Sequence, residues 1–186
     1  MISKDLQQNI SLLSQDGDFE FQIITRADLE EARQLHNDPL ILNQLTDCRQ
    51  ITKSQQRLWF RNLQRSQTST RVVVRLKADG SLVGVFRLDR IDQGNATVCI
   101  GLDVHPRFQN QGNGKKIYRE VIEMLFSKLN FHRVYLETLE SNGVGRKLYE
   151  SLGMKLEGMQ REAIERHGIR VSLLNYGLLQ NEWKPR

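Results

Sequence analysis

An anion-binding loop is the strongest chemical signal in this chain, and it consists of six consecutive residues, Gln109-Asn110-Gln111-Gly112-Asn113-Gly114. The loop follows an apolar run at 98–104 that predicts a β-strand, and it precedes a helical pattern. The first N–H groups of a helix have no partner within it and lie at the positive end of its dipole. Because glycines let the backbone approach a phosphate closely, the loop predicts a site for a phosphorylated ligand. A turn that binds nothing is the alternative.

The common phosphate-binding motifs do not describe this loop. A Walker loop needs a Gly five residues before its Gly-Lys pair and a Ser or Thr after it, but Gln109 and Lys116 occupy those positions. A dinucleotide fingerprint that starts at Gly112 needs a third Gly where Ile117 stands. What remains is the pattern Gln-x-x-Gly-x-Gly after a strand.

A second motif lies downstream at 142–154, where the pattern is Asn-x-x-Gly-x-x-x-Tyr-x-x-x-Gly-Met. The two motifs together resemble those of the GCN5-related N-acetyltransferases (GNATs). Further stretches resemble the branch that holds the ribosomal-protein N-terminal acetyltransferases and the nucleotide-amino-sugar N-acetyltransferases. These stretches are Leu35–Asp38, Ile51–Phe60, Leu156–Gly158 and Gly177–Trp183. The resemblance covers nearly the whole chain, from Phe21 to Trp183.

The resemblance implies acetyl-CoA as the co-substrate and indicates which residues hold it. Backbone groups of Leu102 and Val104 would pair with the pantetheine amides like an added strand. Asn142 would contact the cofactor, although it also fits a helix N-cap. For Lys115, a solvated helix face is the alternative to a phosphate contact. The residues expected at the pyrophosphate are Gln109, Asn110, Gln111, Gly112, Asn113, Gly114 and Lys115.

Tyr149 and Glu137 are the candidate catalytic residues. Tyr149 falls on the motif tyrosine of the resembled family, which protonates the departing thiolate. A phenol with a pKa of about 10 can do so for a thiol with a pKa of about 8.5. The resemblance implies that Glu137 is the base, since related enzymes with Leu-Glu in this strand use that carboxylate, often through water. Glu137 shares one strand face with Tyr135 and Leu139, which predicts a partly buried carboxylate with a raised pKa that would suit this role. The alternatives are a core aromatic for Tyr149 and a salt bridge at the rim for Glu137.

The composition is that of one ordinary globular domain. The chain has 186 residues, of which 39% are hydrophobic and 26% charged, and its formal net charge is +5. This modest excess suits an anionic ligand, while the lack of a Lys/Arg block disfavours nucleic acid as a partner. No run reaches the roughly 18 apolar residues of a membrane span, so a cytoplasmic protein is predicted. Cys48, Cys99 and the 4 histidines show no metal-ligand spacing, so no metal is predicted.

Hydrophobic periodicity predicts an α+β fold with one mixed, mostly antiparallel sheet. An N-terminal extension, 1–18, contains a short amphipathic helix that Gly17 would end, and the acetyltransferase domain covers 19–186. Thr25 is the predicted N-cap of the next helix, whereas Leu58, Trp59 and Leu63 are the predicted apolar residues of the helix at 52–63. The predicted strands lie at 21–24, 71–76, 82–88, 96–104, 131–138, 155–165 and 169–180, and the remaining helices at 25–35, 113–129 and 142–152.

The strands on either side of the helix at 113–129 are predicted to be parallel neighbours. A helical crossover between two strands of one sheet normally places them side by side in the same direction. In the resembled family these two central strands splay apart, and the pantetheine arm lies in the gap. The fold class is therefore a single GNAT-like domain whose helices flank the sheet.

The predicted activity is acetyl transfer from acetyl-CoA to a primary amine by direct attack. The favoured acceptor is a nucleotide-linked amino sugar, because the early Asn-Asp segment at 35–38 and the Gln/Trp-Phe helix at 51–60 favour the amino-sugar enzymes of that branch. A protein N-terminus is the alternative, and a non-catalytic acyl-CoA-binding module is the alternative of another class. A polyamine would need an acidic pocket that the sequence does not reveal, and a homodimer stays open. Four arginines could meet the diphosphate: Arg71, Arg75, Arg87 and Arg90.

The match to the family is weakest on the acceptor side. Gln56 stands near the position of a family histidine, Ser172 replaces an acidic residue, and Met154 replaces an aromatic one. Since these positions line or support the acceptor site in relatives, the sequence predicts the cofactor more firmly than the acceptor.

Overall fold

The computed structural model describes residues 4–13 and 17–185, which form an α+β fold around one mixed sheet. The strands are β1 (Phe19–Ile23), β2 (Thr70–Leu76), β3 (Leu82–Asp92), β4 (Thr97–Val104), β5 (Arg133–Leu139), β6 (Lys155–Arg166) and β7 (Ile169–Leu179). The helices are α1 (Lys4–Leu13), α2 (Leu29–Asn37), α3 (Pro39–Leu42), α4 (Lys53–Arg65), α5 (Asn113–Ser127) and α6 (Gly143–Ser151). In this described part of the chain the sheet has seven strands in the order β1-β2-β3-β4-β5-β7-β6. The predicted fold class is confirmed.

Helices cover both faces of the sheet, and each face has its own apolar core. On one face, α1, α5 and α6 pack, and Ile117, Ile122 and Leu125 of α5 are fully buried. On the other face, α2, α3 and α4 pack, with Leu35 and Phe60 among the buried residues. Burying a side chain of this size contributes about 1.5–3 kcal/mol. The two cores therefore fix the helices against the sheet.

The N-terminal helix α1 belongs to the first of these cores. Its Leu6 and Ile10 are buried against β1 and α5, at the i, i+4 spacing that puts them on one side of the helix. The amphipathic helix predicted within 1–18 is present and packs against the sheet. Its predicted end cannot be followed to Gly17, because 14–16 lie outside the described residues. Within 4–13 and 17–185, no helix has the length and apolar character needed to cross a membrane.

The parallel strands β4 and β5 separate towards their C-terminal ends. Their pairing extends to Cys99 and Tyr135, whereas β4 continues to Val104 and β5 to Leu139. Over these separated lengths β4 stays paired with β3, and β5 stays paired with β7. The splayed central pair that the resemblance implied is therefore confirmed.

Two local predictions are wrong. The helix predicted from Thr25 begins at Leu29, because the Asp28 carboxylate accepts hydrogen bonds from the Thr25 N–H (2.8 Å) and hydroxyl (2.7 Å). These bonds close a turn that competes with the helical conformation before Leu29. In α4 the predicted apolar residue Leu58 is 51% exposed, and Phe60 is buried instead.

Candidate active site

A cavity of about 400 Å³ passes through the sheet where β4 and β5 separate. We call it the gap cavity. Gly114 and Tyr149 line it from the α5 and α6 side, and Arg87 and Glu137 line it from the opposite face. Most of the predicted site residues meet here: Leu102, Val104, Gln109, Asn110, Gly112, Gly114, Lys115, Glu137, Asn142 and Tyr149. The predicted residues Gln111 and Asn113 belong to the adjoining loop without lining the cavity.

The loop Gln109–Gly114 is held in place by its own amide side chains. The Gln109 amide donates to the Val104 carbonyl at 2.8 Å, which ties the loop to the end of β4. The Asn113 amide donates to the Phe108 carbonyl at 3.1 Å. Both side chains bond to main-chain carbonyls of the segment that precedes the loop, and so they fix the loop against the end of β4.

The start of α5 presents backbone donors to the gap cavity. Asn110 and Gly112 have φ of 58° and 78°, the left-handed region that a glycine adopts without strain. The Lys116 N–H donates to the Gly112 carbonyl at 3.1 Å, so the N–H groups before Lys116 have no partner within the helix. Among the described residues no side chain caps the helix at Gly112. With the helix dipole, this start is suited to an anion.

Backbone groups of β4 also face the gap. The His105 N–H donates to the Val83 carbonyl at 2.8 Å, which fixes the phase of the antiparallel β3–β4 ladder. The alternation of such a ladder then directs the N–H and C=O groups of Leu102 and Val104 away from β3 and into the gap. The Val104 carbonyl accepts the Gln109 amide there. The groups of Leu102 and the Val104 N–H are positioned to pair with an extended ligand.

Tyr149 lies on α6 beside the gap, among other aromatic rings. Its ring centroid is 6.0 Å from that of Tyr118 and 5.7 Å from that of Tyr176. Burial raises the pKa of Tyr149 above its ordinary value, while hydrogen bonds with Thr138 and Tyr118 act in the opposite direction. The phenol therefore carries its proton at neutral pH and can donate it into the cavity.

Asn142 caps α6, as predicted. Its side-chain oxygen accepts the Gly145 N–H at 2.9 Å, and its amide donates to the Thr138 hydroxyl at 3.1 Å. A carbon added at Gly145 would lie 2.6 Å from the Asn142 amide nitrogen, so this position needs a glycine. Because Thr138 also bonds to Tyr149, the cap helps to orient the phenol.

Glu137 lines the gap cavity and forms an ion pair with Arg90. Arg90 donates to its two carboxylate oxygens at 2.7 and 3.1 Å, and these bonds raise the pKa of the Arg90 guanidinium. The strand β3 extends to Asp92, beyond its predicted end at Leu88, and so carries Arg90 to the rim. The expectation of apolar surroundings considered only the neighbours on β5. The salt bridge at the rim, given above as the alternative, is present.

Two more carboxylates line the gap cavity, and each has an arginine partner. Asp89 accepts from Arg71 at 2.7 Å. Asp103 lies 3.4 Å from Arg87, which crosses β4 over Gly101. A carbon added at Gly101 would lie 2.8 Å from two nitrogens of the guanidinium, so the glycine makes room for it. Sequence reasoning missed Asp103, because only the strand register brings it to Arg87.

A second cavity, of about 450 Å³, lies between the sheet and the helices α2 and α4. We call it the helix-side cavity. Trp59 and Gln56 of α4 line it together with Arg71, whose guanidinium lies 5.7 Å from the centre of the Trp59 ring. Arg87 and Asp103 line both cavities. The two cavities therefore adjoin at this pair.

The segment between α3 and α4, which contributes to the helix-side cavity, is fixed by Asn37. The Asn37 amide donates to the Ile51 carbonyl and its oxygen accepts the Ile51 N–H, both at 2.9 Å. Asp38 caps α3 by accepting the Leu40 N–H at 2.8 Å. The early Asn-Asp pair of the sequence is thus used to shape this wall of the cavity.

The model of the acetyltransferase (GNAT) family matches residues 29–154, more than half of the chain. The chain belongs to the GNAT acetyltransferase family. The family and enzyme class predicted from the two motifs are therefore confirmed. Its loop and α5 start, its splayed strands and its Tyr149 all fall within the matched range.

Curated relatives of this GNAT chain include proteins with different acceptors in their names. The putative ribosomal N-acetyltransferase YdaF of Bacillus subtilis is 31% identical over 106 residues, which cover 57% of this chain and 58% of that protein. The N-acetylaspartate synthetase of Rattus norvegicus is 31% identical over 114 residues, covering 56% and 38%. This chain spans less than two thirds of the length of these relatives.

Solved structures share the GNAT fold of this chain over most of its length. The spermidine N-acetyltransferase of Vibrio cholerae in complex with CoA and spermine has a TM-score of 0.84 at 20% identity, covering 90% of this chain and 98% of that one. A dodecameric structure of a spermidine N-acetyltransferase from the same organism has a TM-score of 0.76 at 20% identity, covering 89% and 96%. Identities this low show a shared fold.

The described residues of this GNAT chain contain no group of three or more His, Cys, Asp or Glu side chains placed to hold a metal ion. Cys48 and Cys99 are free thiols. Burial raises the pKa of the Cys99 thiol to about 11, although it lines the gap cavity. The polar groups available for chemistry are therefore Tyr149 and the carboxylate–arginine pairs.

Proposed function

We propose that this protein transfers an acetyl group from acetyl-CoA to a primary amine by direct attack in the gap cavity. The observation that carries the proposal is the separation of β4 and β5. It opens a passage through the sheet with backbone donors at one end and the Tyr149 phenol beside it. Acetyl-CoA supplies the activated acetyl group as a thioester. The protein contributes binding, orientation and proton transfer.

The residues around the gap fit the two parts of acetyl-CoA. The N–H groups at the start of α5, from Gly112 to Lys115, suit the pyrophosphate, and the Lys115 ammonium adds positive charge. The free backbone groups of Leu102 and the Val104 N–H suit the pantetheine amides, in the manner of strand addition. The V. cholerae neighbour with this fold was solved with CoA, which supports the same co-substrate here.

Tyr149 is proposed as the acid that protonates the departing thiolate. Its buried phenol keeps its proton at neutral pH, since burial raises its pKa. Transfer from a phenol to a thiolate, whose thiol has a pKa of about 8.5, is uphill, and the raised pKa of Tyr149 adds to that difference, so the account depends on a donor positioned at the sulfur. Asn142 and Thr138 orient the phenol and serve as positioning residues.

Glu137 is proposed as the base that removes a proton from the acceptor ammonium, directly or through a water molecule. An alkyl ammonium with a pKa of about 10 is mostly protonated at pH 7, so an acceptor for its proton is needed. Glu137 lines the gap cavity and is 25% exposed. Both of its carboxylate oxygens accept hydrogen bonds from the Arg90 guanidinium, which holds the side chain at the wall of the cavity.

The proposed acceptor is the primary amine of a nucleotide-linked amino sugar. Of the four arginines considered from the sequence, Arg71 and Arg87 line the helix-side cavity, where a diphosphate could lie. Arg75 bonds to carboxylates of α2 and its flank, and Arg90 bonds to Glu137. Every described carboxylate that lines either cavity is paired with an arginine, which leaves little for a polyamine.

A protein N-terminus is the second candidate acceptor. The 31% identity to YdaF, which is named a putative ribosomal N-acetyltransferase, favours it. The helix-side cavity could equally take the first side chains of a peptide. A homodimer and a cytoplasmic location remain predictions from the sequence.

A thermal-shift titration followed by a thiol-release assay tests the proposal. Acetyl-CoA is expected to raise the melting temperature, and an amine from a panel of nucleotide amino sugars, peptides and polyamines is expected to release CoA thiol. A thermal shift without thiol release for any amine would indicate the non-catalytic acyl-CoA-binding module. If acetyl-CoA does not raise the melting temperature and no amine releases CoA thiol, the proposal is wrong.

A further inference from the structure

The ion pair Arg87–Asp103 is the charged contact that the two cavities share. Both residues line the gap cavity and the helix-side cavity, so a molecule that extends across both passes over this pair. The distance from the guanidinium to the carboxylate is 3.4 Å. A charge-assisted hydrogen bond is shorter, about 2.7–2.9 Å. The Arg87 side chain is 34% exposed, so a ligand in the cavities can reach its donors.

The other carboxylates of the gap cavity are held more closely. Asp89 accepts from Arg71 at 2.7 Å, and Glu137 is held through both of its oxygens. A ligand would have to break well-formed bonds to take either carboxylate. The Arg87–Asp103 pair is the one that a ligand with both charges can open at the lowest cost.

The strand register places a second guanidinium, that of Arg71, beside Arg87, although Asp89 offsets its charge. Arg71 lies directly opposite Arg87 across the β2–β3 pair, and Arg87 lies opposite Gly101 across β3–β4. Like charges that face each other on neighbouring strands repel, so an anion placed beside them is stabilised. Gly101 has no side chain that would cover the guanidinium.

We infer that Arg87 binds an anionic group of the acceptor, a carboxylate or a phosphate, while Asp103 faces the acceptor's ammonium. The enzyme would then select amines that also carry a negative charge. This inference rests on the proposed acetyl transfer and names the class of acceptor for that site. The fork of a guanidinium bonds carboxylates and phosphates through two parallel hydrogen bonds, which a lysine cannot do.

The location of the pair agrees with this role. Arg87, Asp103 and Tyr149 all line the gap cavity, so the ion pair lies in the same cavity as the proposed acid. An acceptor whose anion bonds Arg87 would therefore have its amine near the thioester. The remainder of a larger acceptor can extend into the helix-side cavity, past Trp59.

The test compares matched amines in the thiol-release assay with the full chain. β-Alanine is compared with β-alaninamide for the carboxylate, O-phosphoethanolamine with ethanolamine for the phosphate, and putrescine represents a dication. The wild-type enzyme is expected to prefer the anionic member of at least one pair in kcat/KM. Arg87→Gln is expected to lower that preference about 10- to 100-fold, the range for a hydrogen bond between charged groups. The pair that responds identifies the anion as carboxylate or phosphate.

Arg75→Gln is the matched control. Arg75 is also a paired arginine of the sheet, but its partners Asp28 (2.9 Å) and Glu31 (2.6 Å) are not among the residues that line either cavity. Its substitution is expected to leave the preference for anionic amines unchanged. Should Arg87→Gln fold poorly, Arg87→Lys retains the charge without the fork and is expected to reduce the preference, while Arg87→Glu is expected to favour putrescine.

The outcomes separate the inference from the proposed function. The inference is wrong if the wild-type enzyme releases thiol with several amines but does not prefer the anionic members. It is also wrong if the Arg87 variants lose equal activity with both members of a pair. Either outcome leaves acetyl transfer intact. A wild-type preference for putrescine also overturns the inference. Absence of thiol release with every amine overturns the proposed function and the inference with it.

Discussion

The side of the gap cavity that we propose for the cofactor and the side that we propose for the acceptor are made from different parts of the chain. The cofactor side is main chain: the N–H groups of Gly112–Lys115 and the free edge of β4 at Leu102. The acceptor side is made of charged side chains from neighbouring strands, such as Arg87 and Asp103. A site of the first kind depends on backbone conformation, and a site of the second kind depends on the identity of each side chain.

This difference implies different responses to substitution. The amide side chains of the loop bond to carbonyls that precede it, whereas the groups proposed to bind the cofactor are main-chain N–H groups, so a change of φ at Gly112 is expected to disturb cofactor binding directly. On the acceptor side, removal of one charge leaves its partner unpaired in a partly buried place, which is costly. Four substitutions sharpen the comparison, in order of decreasing effect.

Tyr149→Phe removes the proposed proton donor at the junction of the two sides. We expect kcat to fall by about 100-fold or more, the usual contribution of a positioned acid, while the Kd for acetyl-CoA changes little. Steady-state kinetics and a CoA titration measure both quantities. Tyr176→Phe is the control, because the Tyr176 hydroxyl donates to Glu150 and Tyr176 does not line the gap cavity. Turnover close to that of the wild type in Tyr149→Phe would remove the acid assignment.

Glu137→Gln retains the shape of the side chain but removes the proposed base. We expect kcat/KM for the acceptor to fall by about 10- to 100-fold, with no change in the Kd for acetyl-CoA. The control is Glu157→Gln, because Glu157 is also held through both oxygens by an arginine, Arg133, and does not line the gap cavity. Equal losses in the two variants would mean that the effect comes from a lost inter-strand ion pair.

Gly112→Ala tests the backbone character of the cofactor side. A carbon added at Gly112 meets no atom within 4 Å, but φ there is 78°, so the substitution strains the loop without a clash. Such strain amounts to about 1–2 kcal/mol, so we expect the Kd for acetyl-CoA to rise by roughly tenfold in a binding titration. Gly80→Ala is matched in φ (72°) and in open space, but lies between β2 and β3. If Gly112→Ala and Gly80→Ala bind acetyl-CoA with equal affinity, the proposal that the loop binds the cofactor through its backbone is wrong.

Gly101→Ala is the corresponding test on the acceptor side. The added carbon lies 2.8 Å from two nitrogens of Arg87, and this flexible side chain can shift without loss of the fold. A displaced rotamer costs on the order of 0.5–1.5 kcal/mol, so we expect KM for the acceptor to rise by about threefold while the Kd for acetyl-CoA is unchanged. Gly158→Ala, on β6 with nothing within 4 Å, is the control. A change in the Kd for acetyl-CoA, with KM for the acceptor unchanged, would mean that Arg87 acts on the cofactor and not on the acceptor.

The parts that could be predicted from the sequence are those set by local conformation. The Gln109–Gly114 loop, the N-cap at Asn142 and the helix α5 each depend on residues within a few positions of one another. The apolar spacing of α5, with Ile117 and Val121, gave its buried side correctly. Turn-forming residues and hydrophobic periodicity therefore suffice to predict elements whose conformation depends on nearby residues.

The acceptor side could not be predicted in the same way. Arg90 and Glu137 are 47 residues apart, and their contact depends on how far β3 extends and on which strands are neighbours. Asp103 appears in the sequence as one charged residue at the end of a strand, and only the register brings it to Arg87. Side chains that meet across strands leave no local pattern in the sequence, so the contacts on the proposed acceptor side could be identified only from the folded structure.

The structure of this protein crystallised with CoA tests the central claim most directly. The claim predicts that the pyrophosphate bonds to N–H groups between Gly112 and Lys115, that pantetheine amides pair with Leu102, and that the sulfur lies within about 3.5 Å of the Tyr149 hydroxyl. CoA bound elsewhere with the loop empty, or the sulfur well beyond reach of the phenol, would contradict it.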